Sequence, residues 1–145
     1  MRVLWLSPGF PANEQDENCL PTLQFLARAL HSQGVDLQVI SLDYPFSSKP
    51  FHWHEIPVQS SYGPRQKWFR WYNWTRMLRH AKASHQNQNF DLIHSFWLGP
   101  AWLIGKHLQK QWNLPHWTTL MGQDVLPQNK YRHFLKARQV KSLIA

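Results

Sequence analysis

Short apolar runs alternate with helical patterns along the chain. Residues 2–6 form an apolar run that ends at a Ser-Pro-Gly turn, which is typical of a buried strand followed by a loop. From Pro21 onward apolar residues recur at intervals of three and four as far as Gly34, and this spacing predicts an amphipathic helix that ends at a glycine. Residues 35–42 alternate and then become continuously apolar, so they predict a second strand.

The rest of the chain continues this alternation. Prolines and serines restrict residues 44–64 to one short predicted strand near 56–58. The later patterns predict helices over 65–84 and 100–112, strands over 90–94 and 116–121, helical turns over 130–137 and a strand over 140–145.

Strands and helices that alternate at this spacing form right-handed βαβ units. The predicted fold class is therefore α/β, a Rossmann-like open parallel sheet with helices on both faces. The 145 residues suffice for one such domain and not for two full-sized ones. Ligands bind beyond the carboxyl ends of the strands in such sheets, so we expect functional loops to start at Ser7, Asp43, His94 and Met121.

The chain is strongly basic. It contains 16 Lys and Arg and eight Asp and Glu, which gives a net charge of +8. The cations cluster in residues 65–82 and 130–141. Such a charge attracts nucleic acid, anionic lipid or phosphorylated small molecules, and charge alone does not distinguish among them. No apolar run approaches the roughly 18 residues that span a bilayer. The single cysteine, Cys19, cannot form an internal disulfide, so we expect a cytoplasmic protein.

Three kinds of catalytic site are not expected. Gly9 follows the first strand, but no second glycine follows and the helix starts only near Pro21, so the dinucleotide-binding fingerprint is absent. The pair His52 and His54 has one neighbouring carboxylate, which is too few ligands for a metal site, and we predict no metal. Acidic residues surround Cys19 and raise the pKa of a thiol, so a nucleophilic cysteine is not expected.

Residues 65–76 interleave cations with aromatic residues. This pattern fits binding to an anionic membrane surface, or base stacking along single-stranded nucleic acid. The sheet also needs a helix to cover it, so one stripe of this helix is expected to be buried. The stripe consists of Trp71, Trp74, Leu78 and Ala81. The residues left for a membrane or an anionic acceptor are Arg65, Lys67, Trp68, Phe69 and Arg70.

Two strand ends carry groups that suit a ligand. His94 ends a buried strand, where a histidine is either a hydrogen-bonded structural residue or a functional one. Gly122 lets a ligand approach the backbone closely, and Gln123 and Asp124 are hydrogen-bonding groups of the kind that bind sugar hydroxyls. Alternatively, Asp124 caps the turn.

The order and spacing of four segments resemble the N-terminal half of a GT-B glycosyltransferase of family 4. The resemblance covers nearly the whole chain, although each motif is short. The segments are residues 2–11, residues 29–40 (ALHSQGVDLQVI), residues 90–95 (FDLIHS) and residues 115–124 (PHWTTLMGQD).

The resemblance implies a retaining, metal-independent enzyme that transfers a sugar from a nucleotide-sugar to a sugar or lipid-linked acceptor. Its two Rossmann-like domains face each other across a cleft, and residues 1–145 resemble the acceptor-side domain. The C-terminal domain, which binds the donor and carries paired glutamates in the family, is absent from this chain. We therefore expect no cofactor to be bound by this domain alone and no turnover by the chain in isolation.

Two departures from the family pattern concern the site. Phe10 and Pro11 stand where the family often has two glycines, and Met121 replaces a histidine that in relatives contacts the donor sugar or assists the chemistry. The positions carried over are Gly122, Asp124 and His94. The predicted substrate-binding residues are Gly9, Phe10, His94, Met121, Gly122, Gln123 and Asp124, and no catalytic residue is assigned.

Two binding functions stand as alternatives to sugar transfer. One is a small basic domain for RNA or single-stranded DNA, although no known RNA-binding motif occurs and nucleic acid is not the expected partner. The other is a module that lies peripherally at the inner face of an anionic membrane.

Overall fold

The computed structural model describes residues 1–47, 49–62 and 70–125, and of Arg70, Gln123 and Val125 it describes only the backbone. The predicted helical turns over 130–137, the predicted strand over 140–145 and residues 65–69 of the predicted surface lie outside the described residues.

Six strands and three helices follow one another in the described part of the chain, in the predicted order apart from one additional strand. The strands are β1 (Arg2–Gly9), β2 (Asp36–Tyr44), β3 (Phe51–Trp53), β4 (Ile56–Ser60), β5 (Leu92–Phe96) and β6 (His116–Thr119). The helices are α1 (Pro21–Ser32), α2 (Arg70–Asn87) and α3 (Pro100–Trp112), and a 3₁₀ turn, Gly122–Val125, follows β6.

The strands form one sheet in the order β3-β4-β2-β1-β5-β6. Every neighbouring pair is parallel except β3 and β4, which form an antiparallel hairpin at one edge. The predicted α/β class and Rossmann-like sheet are confirmed. The short strand predicted near 56–58 is β4, whereas β3 was not predicted because three residues between prolines carry no periodic signal.

Side chains alternate between the two faces of the sheet, and each face has its own core. On one face Val3 and Trp5 pack with Leu23 and Ala27 of α1. On the other face Leu4 and Leu6 pack beneath α2 and α3. Helices therefore cover both faces, and a strand buried on both faces explains the continuous apolar run at the start of the chain.

The buried stripe of α2 differs from the prediction at one end. Ala81 is buried and Trp74 and Leu78 are partly buried as expected, but 62% of Trp71 is exposed. Trp71 lies in the first turn of α2, and nothing in the described residues covers it.

A close approach between α3 and β6 fixes the position of α3. Gly105 lies directly against the imidazole of His116, and a Cβ at this glycine would lie 2.7 Å from His116 Cε1. The same imidazole is hydrogen-bonded through Nε2 to Ser95 Oγ at 2.8 Å, and Ser95 Oγ lies 3.0 Å from Thr118 Oγ1. Because Gly105 has no side chain, α3 can pack directly over the hydrogen-bonded cluster of His116, Ser95 and Thr118.

We expect Gly105→Ala to lower the free energy of unfolding by roughly 1–3 kcal/mol, since the added methyl group overlaps a ring held by a buried hydrogen bond. Urea unfolding followed by circular dichroism measures the change. Gly122→Ala is the matched control, because an added Cβ there meets no atom within 4 Å. Equal midpoints for the two variants would show that α3 does not depend on this approach.

Candidate functional site

The carboxyl ends of β5 and β6 are joined into one surface at the predicted functional edge. The Trp97 N–H donates to the Thr119 carbonyl at 3.0 Å. His94 Nε2 and Thr119 Oγ1 are hydrogen-bonded at 2.8 Å. These two bonds hold the loops after β5 and β6 side by side, so groups presented by one loop keep a fixed distance from groups on the other.

His94 is an uncharged hydrogen-bonding group in this surface. Its ring packs edge-on against Trp5, with centroids 5.7 Å apart, and lies 4.3 Å from the ring of Phe96. Burial lowers the pKa of His94 to about 4, because the imidazolium loses its hydration among these rings. At neutral pH the side chain therefore supplies hydrogen bonding and no positive charge.

The turn after β6 is held by the carboxylate of Asp124. Asp124 is buried, and its Oδ2 accepts a hydrogen bond from the Met121 N–H at 2.8 Å, while the Asp124 N–H donates to the Met121 carbonyl. This is the capping arrangement, the second of the two interpretations of Asp124. Gly122 is exposed and an added Cβ would meet nothing within 4 Å, so the backbone at Gly122 is open to an approaching molecule.

The remaining predicted residues of this turn are partly described. Met121 is partly buried and packs against the same apolar core as Trp97. Only the backbone of Gln123 is described, within the 3₁₀ turn. The turn therefore brings Met121, Gly122 and Gln123 to the same edge as His94.

The loop after β1 does not present Phe10 to a ligand. Phe10 has no exposed surface, and its ring packs edge-on against Trp53 at a centroid distance of 5.2 Å. Its N–H donates to the Tyr44 carbonyl at 3.1 Å. Gly9 is also buried, and a Cβ added at this glycine would lie 3.5 Å from the Cβ of Tyr44. The predicted ligand contact by the side chain of Phe10 is therefore not supported: an irregularity in β1 between Ser7 and Gly9 turns this residue into the core.

A second group on the same edge was not identified from the sequence. The Tyr44 hydroxyl donates to Asp16 Oδ2 at 2.7 Å, and this hydrogen bond raises the pKa of Tyr44 to about 12. Beside it lies a groove of about 390 Å³. Aromatic and proline residues dominate its lining, which includes Tyr44, Pro45, Phe46, Pro50 and Phe51. The aromatic and proline residues after the second strand were the sequence signal for this groove. The hydrogen bond between Asp16 and Tyr44 joins residues 28 positions apart, so no local sequence pattern indicates it.

The described residues contain no group of three His, Cys, Asp or Glu side chains that could hold a metal ion. His54 Nδ1 lies 3.8 Å from Glu14 Oε1, so it forms a local ion pair when protonated. Burial, together with Asp16, raises the pKa of the Cys19 thiol to about 11, in the direction that the acidic surroundings indicated. A thiol with this pKa is a poor nucleophile at neutral pH.

Within the described part of the chain, no helix has the length and apolar character needed to cross a bilayer. Of the predicted membrane or anionic-acceptor residues, Arg70 begins α2, and Arg65, Lys67, Trp68 and Phe69 lie outside the described residues.

Comparisons with known proteins agree with this geometry. A sequence model described as Glycosyltransferase Family 4 matches residues 22–144. No curated protein sequence gives a significant match. Two solved chains of sucrose-phosphate synthase from Thermosynechococcus elongatus superpose with a TM-score of 0.60. They are 18% and 20% identical over 86% and 90% of this chain, which spans 65% and 37% of their lengths.

The UDP-GlcNAc 2-epimerase of Methanocaldococcus jannaschii superposes with a TM-score of 0.55, at 14% identity, over 92% of this chain and 36% of its own length. At these identities the solved structures establish the fold alone.

The buried imidazoles predict how stability depends on pH. The pKa values of His94 and His116 are both lowered to about 4, from 6.5 in an unfolded chain. The unfolded chain therefore binds more protons below pH 6.5, and the free energy of unfolding falls as the pH is lowered from 6.5 toward 4. Above about pH 7.5, where both imidazoles are uncharged in the folded and the unfolded chain, these two groups contribute almost no pH dependence.

Urea unfolding at several pH values between 5 and 7.5 measures this slope. We expect the double variant His94→Gln plus His116→Gln to show a shallower slope than the unmodified chain. His107→Gln, at an exposed position of α3, is the control and is expected to keep the original slope. An unchanged slope in the double variant would contradict the burial of these imidazoles.

Proposed function

Because the chain belongs to glycosyltransferase family 4, we propose that it forms the acceptor-side half of an enzyme that transfers a sugar from a nucleotide-sugar to an acceptor. The observation that carries this proposal is the composition of the carboxyl edge. Where β5 and β6 end, the edge offers an uncharged imidazole and an exposed glycine backbone. Such groups exchange hydrogen bonds with the hydroxyl groups of a sugar.

Two acidic groups near this edge are engaged in hydrogen bonds. Asp124 is bonded to the Met121 N–H inside its turn, and Asp16 accepts the hydroxyl of Tyr44. The sequence holds three glutamates, Glu14, Glu17 and Glu55, and none follows β5 or β6. In this proposal the donor nucleotide and the catalytic carboxylates therefore belong to a C-terminal domain outside residues 1–145.

The chain's own residues would bind and orient the acceptor. His94 would exchange hydrogen bonds with an acceptor hydroxyl, and its bond to Thr119 fixes the direction of the ring. The exposed backbone at Gly122 would allow an acceptor ring to lie close to the turn, with Gln123 as a further hydrogen-bonding group. Met121 supplies an apolar wall where relatives have a histidine, so we assign it no part in proton transfer. We propose a sugar or a lipid-linked sugar as the acceptor and the cytoplasm as the site of action.

The division of labour is tested by assaying the 145-residue chain and a protein that continues beyond residue 145 with the same nucleotide-sugars. We expect the 145-residue chain to form no product and the longer protein to transfer sugar. Turnover by the short chain would contradict the proposal.

The acceptor role of the β6 turn is tested in the longer protein with Gly122→Val. A branched side chain at this exposed position should block close approach and raise the acceptor KM by roughly tenfold, while the donor KM stays unchanged. Ser32→Val is the control, since it places the same side chain at an exposed position at the end of α1, away from the ends of β5 and β6. A change in the donor KM alone would place the donor, instead of the acceptor, at this turn.

A further inference from the structure

Five aromatic residues lie on the carboxyl edge, on the side of β2, β4 and α2, in two groups that Arg76 connects. We call this surface the aromatic strip. It consists of Tyr44, Phe46, Tyr62, Tyr72 and Trp71. Ring centroids are 5.2 Å apart between Tyr44 and Phe46 and 5.1 Å apart between Phe46 and Tyr62. At the other end, the rings of Trp71 and Tyr72 are 6.4 Å apart.

Arg76 connects the two ends of the aromatic strip. Its Nη1 donates to the Tyr62 carbonyl at 2.8 Å, and its guanidinium lies 5.9 Å from the centroid of the Tyr72 ring. The cation is thereby held among the aromatic rings, with its position set by the backbone that follows β4. The hydrogen bond from Arg76 to the backbone of Tyr62 therefore holds this cation beside the ring of Tyr72 in the folded chain.

Much of the aromatic strip is exposed. The exposed fractions are 52% for Phe46, 62% for Trp71 and 39% for Tyr72. These are three of the six large apolar side chains that the described residues expose. Exposed aromatic surface of this kind marks a site of interaction with a partner or a membrane.

Two described cations lie at the aromatic strip. Arg76 is held between Tyr62 and Tyr72, and Lys49 lines the neighbouring groove together with Phe46. The carboxylate of Asp16 accepts the hydroxyl of Tyr44. Along the sequence, residues 56–90 contain six Lys and Arg and not one Asp or Glu. Aromatic rings placed among cations on an exposed surface complement an anionic lipid layer, where rings lie at the level of the headgroups and cations meet the phosphates.

We propose that the aromatic strip docks this chain onto the surface of an anionic lipid bilayer. The arrangement of the rings favours a bilayer over single-stranded nucleic acid. Successive bases stack on parallel, accessible ring faces. In the aromatic strip the rings are instead steeply inclined to one another, at 89° between Tyr44 and Phe46 and 88° between Trp71 and Tyr72. A headgroup layer imposes no such register, because it accepts amphipathic rings in many orientations.

Docking through the aromatic strip would have a consequence for the proposed function. The strip and the ends of β5 and β6 share the carboxyl edge of one sheet, so a docked chain would hold the candidate site beside the bilayer. This arrangement favours an acceptor presented in the membrane. The docking itself does not depend on sugar transfer, and it is measured without any assay of activity.

The apolar part of the inference is tested by co-sedimentation of the 145-residue chain with vesicles. One set is phosphatidylcholine alone, and the other contains about one third phosphatidylglycerol. We expect binding to the anionic vesicles only, and a loss of about tenfold in the partition coefficient for Trp71→Ala plus Tyr72→Ala. The matched control is Trp117→Ala plus Phe25→Ala, since Trp117 is also 62% exposed but lies on β6, at the opposite side of the sheet. Circular dichroism verifies that both variants are folded.

The electrostatic part is tested by removing two cations. Lys49→Gln plus Arg76→Gln, which removes the two cations described at the aromatic strip, should weaken binding to the anionic vesicles severalfold. Arg28→Gln plus Lys110→Gln removes the same charge from exposed positions on α1 and α3, and we expect a smaller loss. Equal losses for the two pairs would indicate attraction by net charge alone and would overturn the assignment to the aromatic strip.

Two further outcomes would overturn the proposal. One is binding by the Trp71→Ala plus Tyr72→Ala variant at the level of the unmodified chain. The other is displacement of the chain from vesicles by single-stranded RNA, combined with a loss of RNA binding in the same variant, which would identify the aromatic strip as a nucleic-acid surface. Absence of sugar transfer by the chain would leave the vesicle result unaffected, so the two proposals fail independently.

Discussion

The burial of β1 on both faces is the constraint on which the rest of the structure depends. Leu4, Trp5 and Leu6 have no exposed surface, and the strand pairs with β2 on one side and β5 on the other. Because Trp5 packs against both His94 and Phe96, the same side chain that fills one core also sets the environment of the histidine at the edge. The low pKa of His94 is therefore a consequence of how the centre of the sheet is packed.

Regular elements could be predicted from local patterns, and long-range contacts could not. Periodicity sufficed for β1, α1 and α3, because each presents an apolar face with its own repeat. The exposure of Trp71 depends on what packs against the first turn of α2, and the pattern of a single helix does not encode its neighbours. Phe10 looked like a loop residue, and only the register irregularity in β1 shows that it enters the core. The pairing of Asp16 with Tyr44 likewise joins residues far apart in sequence.

The residues of the candidate site were predicted to share one edge of the sheet, and in the structure they play different parts there. The rule that ligands bind at the carboxyl ends of parallel strands placed His94 and Gly122 together. The structure adds that Asp124 holds the turn from inside and that the imidazole is uncharged. In the two proposals, the ends of β5 and β6 would recognise a hydroxyl-rich molecule, and the neighbouring aromatic strip would attach the chain to an anionic surface.

The most direct test of the central claim is the position of the bound nucleotide-sugar in a crystal structure of the protein continued beyond residue 145. The account expects the nucleotide to be held entirely by residues after 145, with the sugar facing the ends of β5 and β6. A nucleotide bound by residues 1–125, against the loops after β1 or β2, would contradict it.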